Sequence, residues 1–134
     1  LLGLSGLSAD VRTLLASDLP AARLALDHFV ESAARELAGL AAAMRGIDAL
    51  VFTGGIGEHD TNLRERVCED AAWLGVRIDA QANQTANGSG AKKISAPQSA
   101  VEVWVMPTNE ELVIAQHTAN LCCTRTNPIQ GSPD

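Results

Sequence analysis

The stretch LVFTGGIGEHD, residues 50–60, runs a short apolar segment directly into three closely spaced glycines, Gly54, Gly55 and Gly57. The segment DALVFT (48–53) is almost continuously apolar, which predicts a strand in a sheet that is covered on both faces. Glycine costs about 0.5–1 kcal/mol relative to alanine in regular structure, so this spacing indicates a backbone that turns sharply or lies close to another group. In α/β sheets such strand ends are where ligands gather.

The glycine turn lacks two well-known nucleotide fingerprints. A P-loop needs a lysine followed by serine or threonine, and the chain contains no such pair. A dinucleotide fingerprint aligned on Gly55 and Gly57 would need a third glycine where Asp60 stands. What remains is a turn with backbone N–H groups that can cradle phosphate or let a flat ring lie against the main chain. A tight turn without any ligand is an equally good interpretation of these residues alone.

Two helices are predicted on either side of this junction. The first spans residues 21–44, where apolar residues recur at helical spacing, Pro20 lies in the first turn and Gly46 suits the C-terminal cap. The second spans residues 62–74, and we expect its charged residues to face outward. These charged residues are Arg64, Glu65, Arg66 and Glu69.

A second strand, SAVEVWVMPT (99–108), alternates β-branched residues and leads into a predicted amphipathic helix over 109–123. Thr108 and Glu111 fit a capping box at the start of that helix. This gives Glu111 a structural task and leaves Glu110 beside the strand end, where a carboxylate can hold Mg²⁺ directly or through water. A surface glutamate favoured by the helix dipole is the alternative.

The segment SGLSADVR (5–12) is a third candidate site. We expect Ser8 to cap a short helix there. Asp10 can accept hydrogen bonds from a ribose, and Arg12 can stack on a base or bind a phosphate. Helix capping and a surface salt bridge are the structural alternative.

The remaining segments carry weaker signals. VRID (76–79) predicts a short strand, and AQANQTANGSGAKK (80–93) predicts a polar surface loop. Residues 124–134 have little to bury and are predicted to form a disordered tail. The alternation of helices and strands predicts an α/β or α+β domain.

Composition limits the possible partners. A chain of 134 residues that is 46% apolar predicts one globular domain, and its net charge of −6 argues against a general nucleic-acid binder, whose footprint is a basic patch. No apolar run approaches the roughly 20 residues that span a bilayer, so we expect no membrane partner. The three cysteines lack zinc or disulfide spacing, which favours a cytoplasmic location. Because the sequence begins at Leu1 inside an apolar phrase, we expect it to be a piece of a longer protein.

The segments LLGLSGLSADVR, DALVFTGGIGE, LRERVCEDAAWLGVRID and VEVWVMPTNEELVIAQHT, in this order, closely resemble the acetate/propionate kinase family. FTGGIGE and PTNEELVIA are the most specific matches, and the resemblance extends to about Thr118. It implies that residues 1–123 are part of a C-terminal nucleotide-binding domain. The implied fold is that of acetate and sugar kinases, Hsp70 and actin (RNase H-like), in which nucleotide binds between two similar domains.

The resemblance also implies an activity and a set of site residues. Members transfer the γ-phosphoryl group of ATP to acetate, giving acetyl phosphate and ADP, and run the reaction in reverse. Glu110 matches the family's magnesium-site glutamate. His59 stands where related sequences usually carry asparagine. The residues that match nucleotide-contacting positions are Asp10, Val11, Arg12, Gly55, Ile56, Gly57, Glu58 and His59.

Some alternatives stay open at this level. The catalytic residues and the carboxylate pocket are expected in a preceding portion of the enzyme, so acetate, propionate and butyrate are not distinguished and the chain alone is expected to be inactive. Because family members form homodimers through this region, a non-catalytic dimerisation module built on the alanine-rich helix is the rival from another class.

Overall fold

The computed structural model describes residues 1–123, apart from the side chains of Glu110 and Cys123, and the predicted tail lies outside these residues. The helices are α1 (Leu2–Ser5), α2 (Val11–Leu15), α3 (Pro20–Met44), α4 (Gly54–His59), α5 (Thr61–Asp70), α6 (Ala80–Gln84) and α7 (Glu110–Cys123). The strands are β1 (Ala49–Phe52), β2 (Lys92–Lys93) and β3 (Glu102–Val105), and a short 3₁₀ helix covers Ala72–Leu74.

The sheet places the two predicted strand ends next to each other. β1 and β3 are parallel neighbours with Phe52 opposite Val105, and β2 pairs antiparallel with the other side of β3. The N–H of Met106 donates to the carbonyl of Phe52 at 2.9 Å, which continues the pairing one residue past the strands. The glycine turn and the segment before α7 therefore leave the same edge of the sheet.

One face of the sheet carries the core. Val103 and Val105 are 0% and 1% exposed, and they belong to one apolar cluster with Val30 of α3 and Val67 of α5. Val51 lies on the opposite face and is 45% exposed. The prediction of a sheet covered on both faces is thus wrong for the described residues, because α3 and α5 pack on the Phe52 side and no described element buries Val51.

The long helix forms as predicted, with Pro20 in its first turn. Its C-terminal cap differs in detail from the prediction. Arg45 takes the left-handed conformation with φ 63°, and the N–H of Gly46 donates to the carbonyl of Ala41 at 2.8 Å. The cap therefore uses both residues, with arginine in the position where glycine is usual.

One predicted helix is shorter than expected, and one predicted strand does not form. The helix predicted over 62–74 ends at Asp70, and the 3₁₀ turn that follows is stopped by Gly75 with φ 89°. VRID makes only isolated bridges, Val76 to Val101 and Ile78 to Ser95.

The segment predicted as a polar surface loop is partly structured. It contains α6 and β2, and Asn83 is only 2% exposed. The polar composition of 80–93 was misleading because Asn83 is buried against polar partners rather than against apolar ones. Within residues 1–123, no helix combines the length and the apolar character needed to cross a bilayer.

Candidate functional site

A cleft of about 1100 Å³ opens at the end of β1. Its walls come from residues 10–15 around α2, one side of α3, the end of β1 and the glycine segment. Six of the eight residues predicted to bind nucleotide line it: Asp10, Arg12, Gly55, Ile56, Gly57 and His59. The other two, Val11 and Glu58, are buried at 3% and 8% exposure and do not line the cleft.

The cleft combines an apolar wall with a polar rim. Phe29, Ala33 and Leu37 of α3 line it together with Val51 of β1, which is 45% exposed. The rim carries the carboxylate of Asp10, the guanidinium of Arg12 and the imidazole of His59. An apolar slot with a few polar groups at its edge is typical of small-molecule sites.

The glycine segment is itself a short helix rather than a turn before one. Gly54 opens α4 with φ 73°, a conformation that side chains rarely adopt. A Cβ on Gly57 would lie 3.3 Å from the carbonyl carbon of Phe52, so α4 packs tightly onto the end of β1. Gly55 has neither constraint, because its φ is ordinary and a Cβ there would meet nothing within 4 Å. The fold thus accounts for two glycines and leaves the third, which lines the cleft, without a structural reason.

Glu58 fastens this helix to the neighbouring strand end. Its Oε1 accepts hydrogen bonds from the N–H of Gly54 at 2.9 Å, the N–H of Thr108 at 2.9 Å and the hydroxyl of Thr108 at 3.2 Å. The donation from the Thr108 backbone is the main reason that the pKa of Glu58 is lowered, against the opposing effect of burial. The N–H of Gly54, which was expected to be available to a ligand, is therefore already hydrogen-bonded to Glu58.

The predicted capping box at α7 is wrong. Thr108 donates to Glu58 instead, and Oδ1 of Asn109 accepts from the N–H of Leu112 at 2.9 Å. Asn109 is thus the capping residue, as expected for a residue type that favours this position. Glu110 is the first residue of α7, so no capping box distinguishes it from Glu111 as a metal ligand.

Arg64, predicted to face outward, is fully buried at 0% exposure. Its Nη1 donates to the carbonyls of Gly57 and Glu58, both at 2.9 Å. Its Nε and Nη2 donate to the side chain and the carbonyl of Asn83 at 2.7 and 2.9 Å, and Nη2 also reaches the carbonyl of Ala86 at 3.2 Å. Burial lowers the pKa of Arg64, while the nearby Asp60 and Cys68 oppose that effect. Arg64 therefore ties α4 to the α6 region.

A sequence signal for the burial of Arg64 does exist. The buried positions of α5 are 63, 64, 67 and 68, so Arg64 lies on the apolar stripe at helical spacing from Cys68. A charged residue on such a stripe predicts a buried charge with polar partners. The partners themselves lie 6 and 7 residues before Arg64 and 19 and 22 residues after it, and they could not be named from spacing.

Asp10 and Arg12, here called the Asp10–Arg12 corner, are both exposed and are hydrogen-bonded to each other. Asp10, not Ser8 as predicted, caps α2, since its Oδ1 accepts from the N–H of Arg12 at 3.0 Å. Arg12 Nη2 lies 3.2 Å from Asp10 Oδ2, and the Arg12 side chain is 83% exposed. The hydrogen bond from the Arg12 side chain is the main reason that the pKa of Asp10 is lowered.

His59 lies exposed at the end of α4, against the 85–92 segment. A Cβ on Gly88 would be 2.8 Å from Cε1 of His59, so the imidazole contacts the backbone there. The residue that departs from the family pattern is therefore packed on a glycine of the same chain as well as lining the cleft.

The magnesium prediction is only partly addressed by the structure. Among the side chains that the structure describes, no group of three or more His, Cys, Asp or Glu residues could hold a metal ion. The side chain of Glu110 lies outside this set. Magnesium bound to a nucleotide takes most of its ligands from phosphates and water, so one protein carboxylate is a sufficient contribution.

Comparison with known proteins identifies the family. The model of the acetokinase family matches residues 1–116. The chain belongs to this family. An acetate kinase of Rhodopseudomonas palustris (strain ATCC BAA-98 / CGA009) is 59% identical over 121 residues, which are 90% of this chain and 30% of the relative. An acetate kinase of Rhizobium meliloti is 51% identical over 89% of this chain and 29% of its own length.

Solved structures of the acetokinase family share the fold. The crystal structure of Porphyromonas gingivalis acetate kinase matches 90% of this chain and 31% of its own, with a TM-score of 0.78 at 38% identity. A propionate kinase from Francisella tularensis matches 89% of this chain and 30% of its own, with a TM-score of 0.75 at 37% identity. The predicted family and α/β fold are confirmed, and the chain spans about 30% of the length of these relatives.

Proposed function

We propose that this chain is the nucleotide- and magnesium-binding part of an acetate kinase, which transfers the γ-phosphoryl group of ATP to acetate and forms acetyl phosphate and ADP reversibly. The observation that carries the proposal is the cleft. Asp10 and Arg12 line the same cavity as Gly55 and His59, although more than one helix and a strand separate them in sequence.

The cleft fits the parts of a nucleotide. The apolar wall from α3 suits a base, and Asp10 can accept hydrogen bonds from ribose hydroxyls. Arg12, with an exposed guanidinium, can stack on the base or donate to a phosphate. The open space over Gly55 lets a ligand approach the backbone closely.

The chemistry needs groups from outside this segment. Phosphoryl transfer depends on positioning and on neutralising charge on the transferred oxygens. We propose that the segment is the C-terminal portion of the enzyme, that Glu110 holds Mg²⁺, and that the catalytic residues come from the preceding portion. The purified chain alone is then inactive. The cytoplasmic location and the homodimer stay predictions.

Propionate is the second candidate acceptor, favoured by the match to the Francisella tularensis propionate kinase at a TM-score close to that of the acetate kinase. The carboxylate pocket is expected outside this segment, and butyrate is predicted on the same grounds. Comparing acetate, propionate and butyrate as substrates of the full-length enzyme distinguishes the three.

The test is calorimetric titration of the purified chain with Mg-ADP. We expect binding that weakens about tenfold in Gly55→Val, because the new side chain fills the open space where the nucleotide lies. The matched control is Gly39→Val on α3, where a Cβ also meets nothing within 4 Å but which does not line the cleft. Glu110→Gln should remove the magnesium dependence of binding.

The outcomes separate the two classes of function. Loss of affinity in Gly55→Val with Gly39→Val unchanged supports the nucleotide site. Equal affinities in all variants would contradict it. A dimer in sedimentation that neither Mg-ADP nor Gly55→Val alters, together with no nucleotide binding, would favour the dimerisation module.

A further inference from the structure

The two loops at the edge of the sheet are joined by one side chain. β1 leads into the glycine helix α4, and β3 leads through Thr108 to Glu110. Glu58, at the far end of α4, bonds back to the N–H of Gly54 and across to Thr108, which lies 50 residues further along the chain. Its carboxylate therefore closes a bridge between the helix that carries the glycines and the segment that enters α7.

Glu58 faces this bridge rather than the cleft. It is 8% exposed, and it is absent from the cleft wall although its neighbours Gly57 and His59 line it. Three donors converge on a single oxygen, Oε1. Hydrogen bonds to an ionised acceptor are roughly twice as strong as neutral ones, so the bridge resists displacement by a ligand.

We propose that Glu58 is a positioning residue that holds the glycine helix and the start of α7 in one register. The inference rests on the proposed function, because it concerns nucleotide bound at α4 and magnesium held by Glu110. Glu110 follows Thr108 by two residues in sequence, so a shift of Thr108 would also shift the backbone at the start of α7, where Glu110 stands. Glu58 does not line the cleft, so we expect its effect on nucleotide and metal binding to pass through Thr108 and Gly54.

This role predicts a separation of kinetic constants. Glu58→Ala breaks all three hydrogen bonds, and we expect the KM for Mg-ATP, the calorimetric Kd for Mg-ADP and the Mg²⁺ concentration at half-saturation to rise about tenfold or more. The KM for acetate should stay unchanged, since the acceptor pocket is expected outside this segment. Glu58→Gln keeps an oxygen that can accept from Gly54 and Thr108, so it should recover most of the lost nucleotide affinity.

The experiment uses a complete enzyme. The 121 matched residues of this chain replace the corresponding 30% of the Rhodopseudomonas palustris acetate kinase, to which they are 59% identical. Glu58→Ala, Glu58→Gln and Thr108→Val are compared in this chimera, with Glu65→Ala as the control because Glu65 is exposed on α5 and does not line the cleft. Thr108→Val removes the hydroxyl bond at 3.2 Å and keeps the backbone bond, so we expect a rise of about twofold in the Mg²⁺ half-saturation.

The outcomes distinguish the two proposals. An inactive unmodified chimera would overturn the proposed function. An active chimera in which Glu58→Ala leaves the KM for Mg-ATP and the Mg²⁺ half-saturation unchanged would overturn the positioning role alone. A parallel rise in the KM for acetate would also overturn it, because the effect would then be general. If Glu58→Ala does not fold, Thr108→Val decides: a raised Mg²⁺ half-saturation supports the role, and an unchanged one contradicts it.

Discussion

The glycine helix and the Asp10–Arg12 corner line the same cleft but are held by different physical means. α4 is fixed by two buried charged side chains, Glu58 and Arg64, whose partners lie up to 50 residues away. The corner is fixed by hydrogen bonds between residues two apart, and both side chains are exposed. One wall of the cleft is therefore preorganised by tertiary contacts, and the other is free to adapt.

The difference predicts how each wall responds to change. A buried charge that loses its partners costs several kcal/mol, so residues that support α4 should control stability as well as binding. An exposed ion pair contributes little to stability, so the corner can be altered with an effect on binding alone.

The largest expected effect is at Arg64. Arg64→Met keeps most of the side-chain volume and removes every hydrogen bond, which leaves four carbonyls and the side chain of Asn83 without this donor. We expect the free energy of unfolding to fall by about 3 kcal/mol or more. Urea denaturation of the chain measures it.

The control for Arg64 lies on the same helix. Arg66 pairs with Asp27 at 2.6 Å across to α3, and its side chain is 34% exposed. Arg66→Met should lower the free energy of unfolding by less than about 1 kcal/mol. Equal losses in the two variants would mean that burial does not distinguish these arginines and would remove the basis of the comparison.

The overall arrangement of the core was predictable, whereas its polar supports were not. The apolar periodicity of residues 21–44 and the β-branched alternation before Met106 are local patterns, and they gave α3 and β3. The partners of Arg64 and Glu58 depend on which loops the sheet brings together, and no local pattern contains that information. The face of β1 left open at Val51 was missed because continuous apolar character does not say whether this chain supplies the cover.

The second largest effect on stability is expected at Gly57 but not at Gly55, although both glycines lie in α4. Gly57→Ala places a Cβ 3.3 Å from the carbonyl carbon of Phe52, and the paired strand cannot move away freely. We expect a net loss of about 1 kcal/mol, since overpacking outweighs the helix propensity of alanine. Gly55→Ala meets nothing within 4 Å and should be neutral or slightly stabilising. The urea denaturation midpoints of the two variants test this expectation. A loss of stability in Gly55→Ala equal to that in Gly57→Ala would show that the fold requires both glycines.

The third effect is a pH dependence at Glu58. Its pKa is lowered from 4.5 by donors that favour the ionised form, so its contribution to stability is full above about pH 4.5 and is lost as the pH falls through the folded value. Glu58→Gln does not ionise. The difference in unfolding free energy between wild type and this variant should therefore be constant near neutral pH and shrink below about pH 4.5.

Comparing the unfolding free energies of wild type and Glu58→Gln at each pH cancels the contributions of the other titrating groups. The pKa values of Asp10 and Glu102 are also lowered, so the total stability falls in the same acidic range, but both groups are present in wild type and variant alike. A difference that stays constant from about pH 7 to about pH 3 would show that the charge of Glu58 does not stabilise the bridge. Urea denaturation over this range makes the measurement.

The positions proposed for the candidate site came from the resemblance, but the hydrogen bonds that hold these positions could not be predicted from the sequence. The resemblance named eight nucleotide-contacting residues, and six of them line one cleft. The capping box failed because Thr108 and Asn109 both suit the cap, and the choice depends on Glu58 reaching Thr108 from another element. Tertiary contacts therefore decide which of two neighbouring residues with similar propensities caps the helix.

The smallest effect on stability is expected at Arg12, where the comparison is sharpest. Arg12→Ala removes a guanidinium that is 83% exposed, yet the backbone N–H that Asp10 accepts from is kept. The urea midpoint should stay within experimental error of wild type, while the affinity for Mg-ADP falls about tenfold because a phosphate or base contact is lost. A loss of stability comparable to that of Arg64→Met would show that the corner is as rigid as α4. Unchanged stability with unchanged affinity would place Arg12 outside the nucleotide contacts and leave the rigid wall as the main determinant of binding.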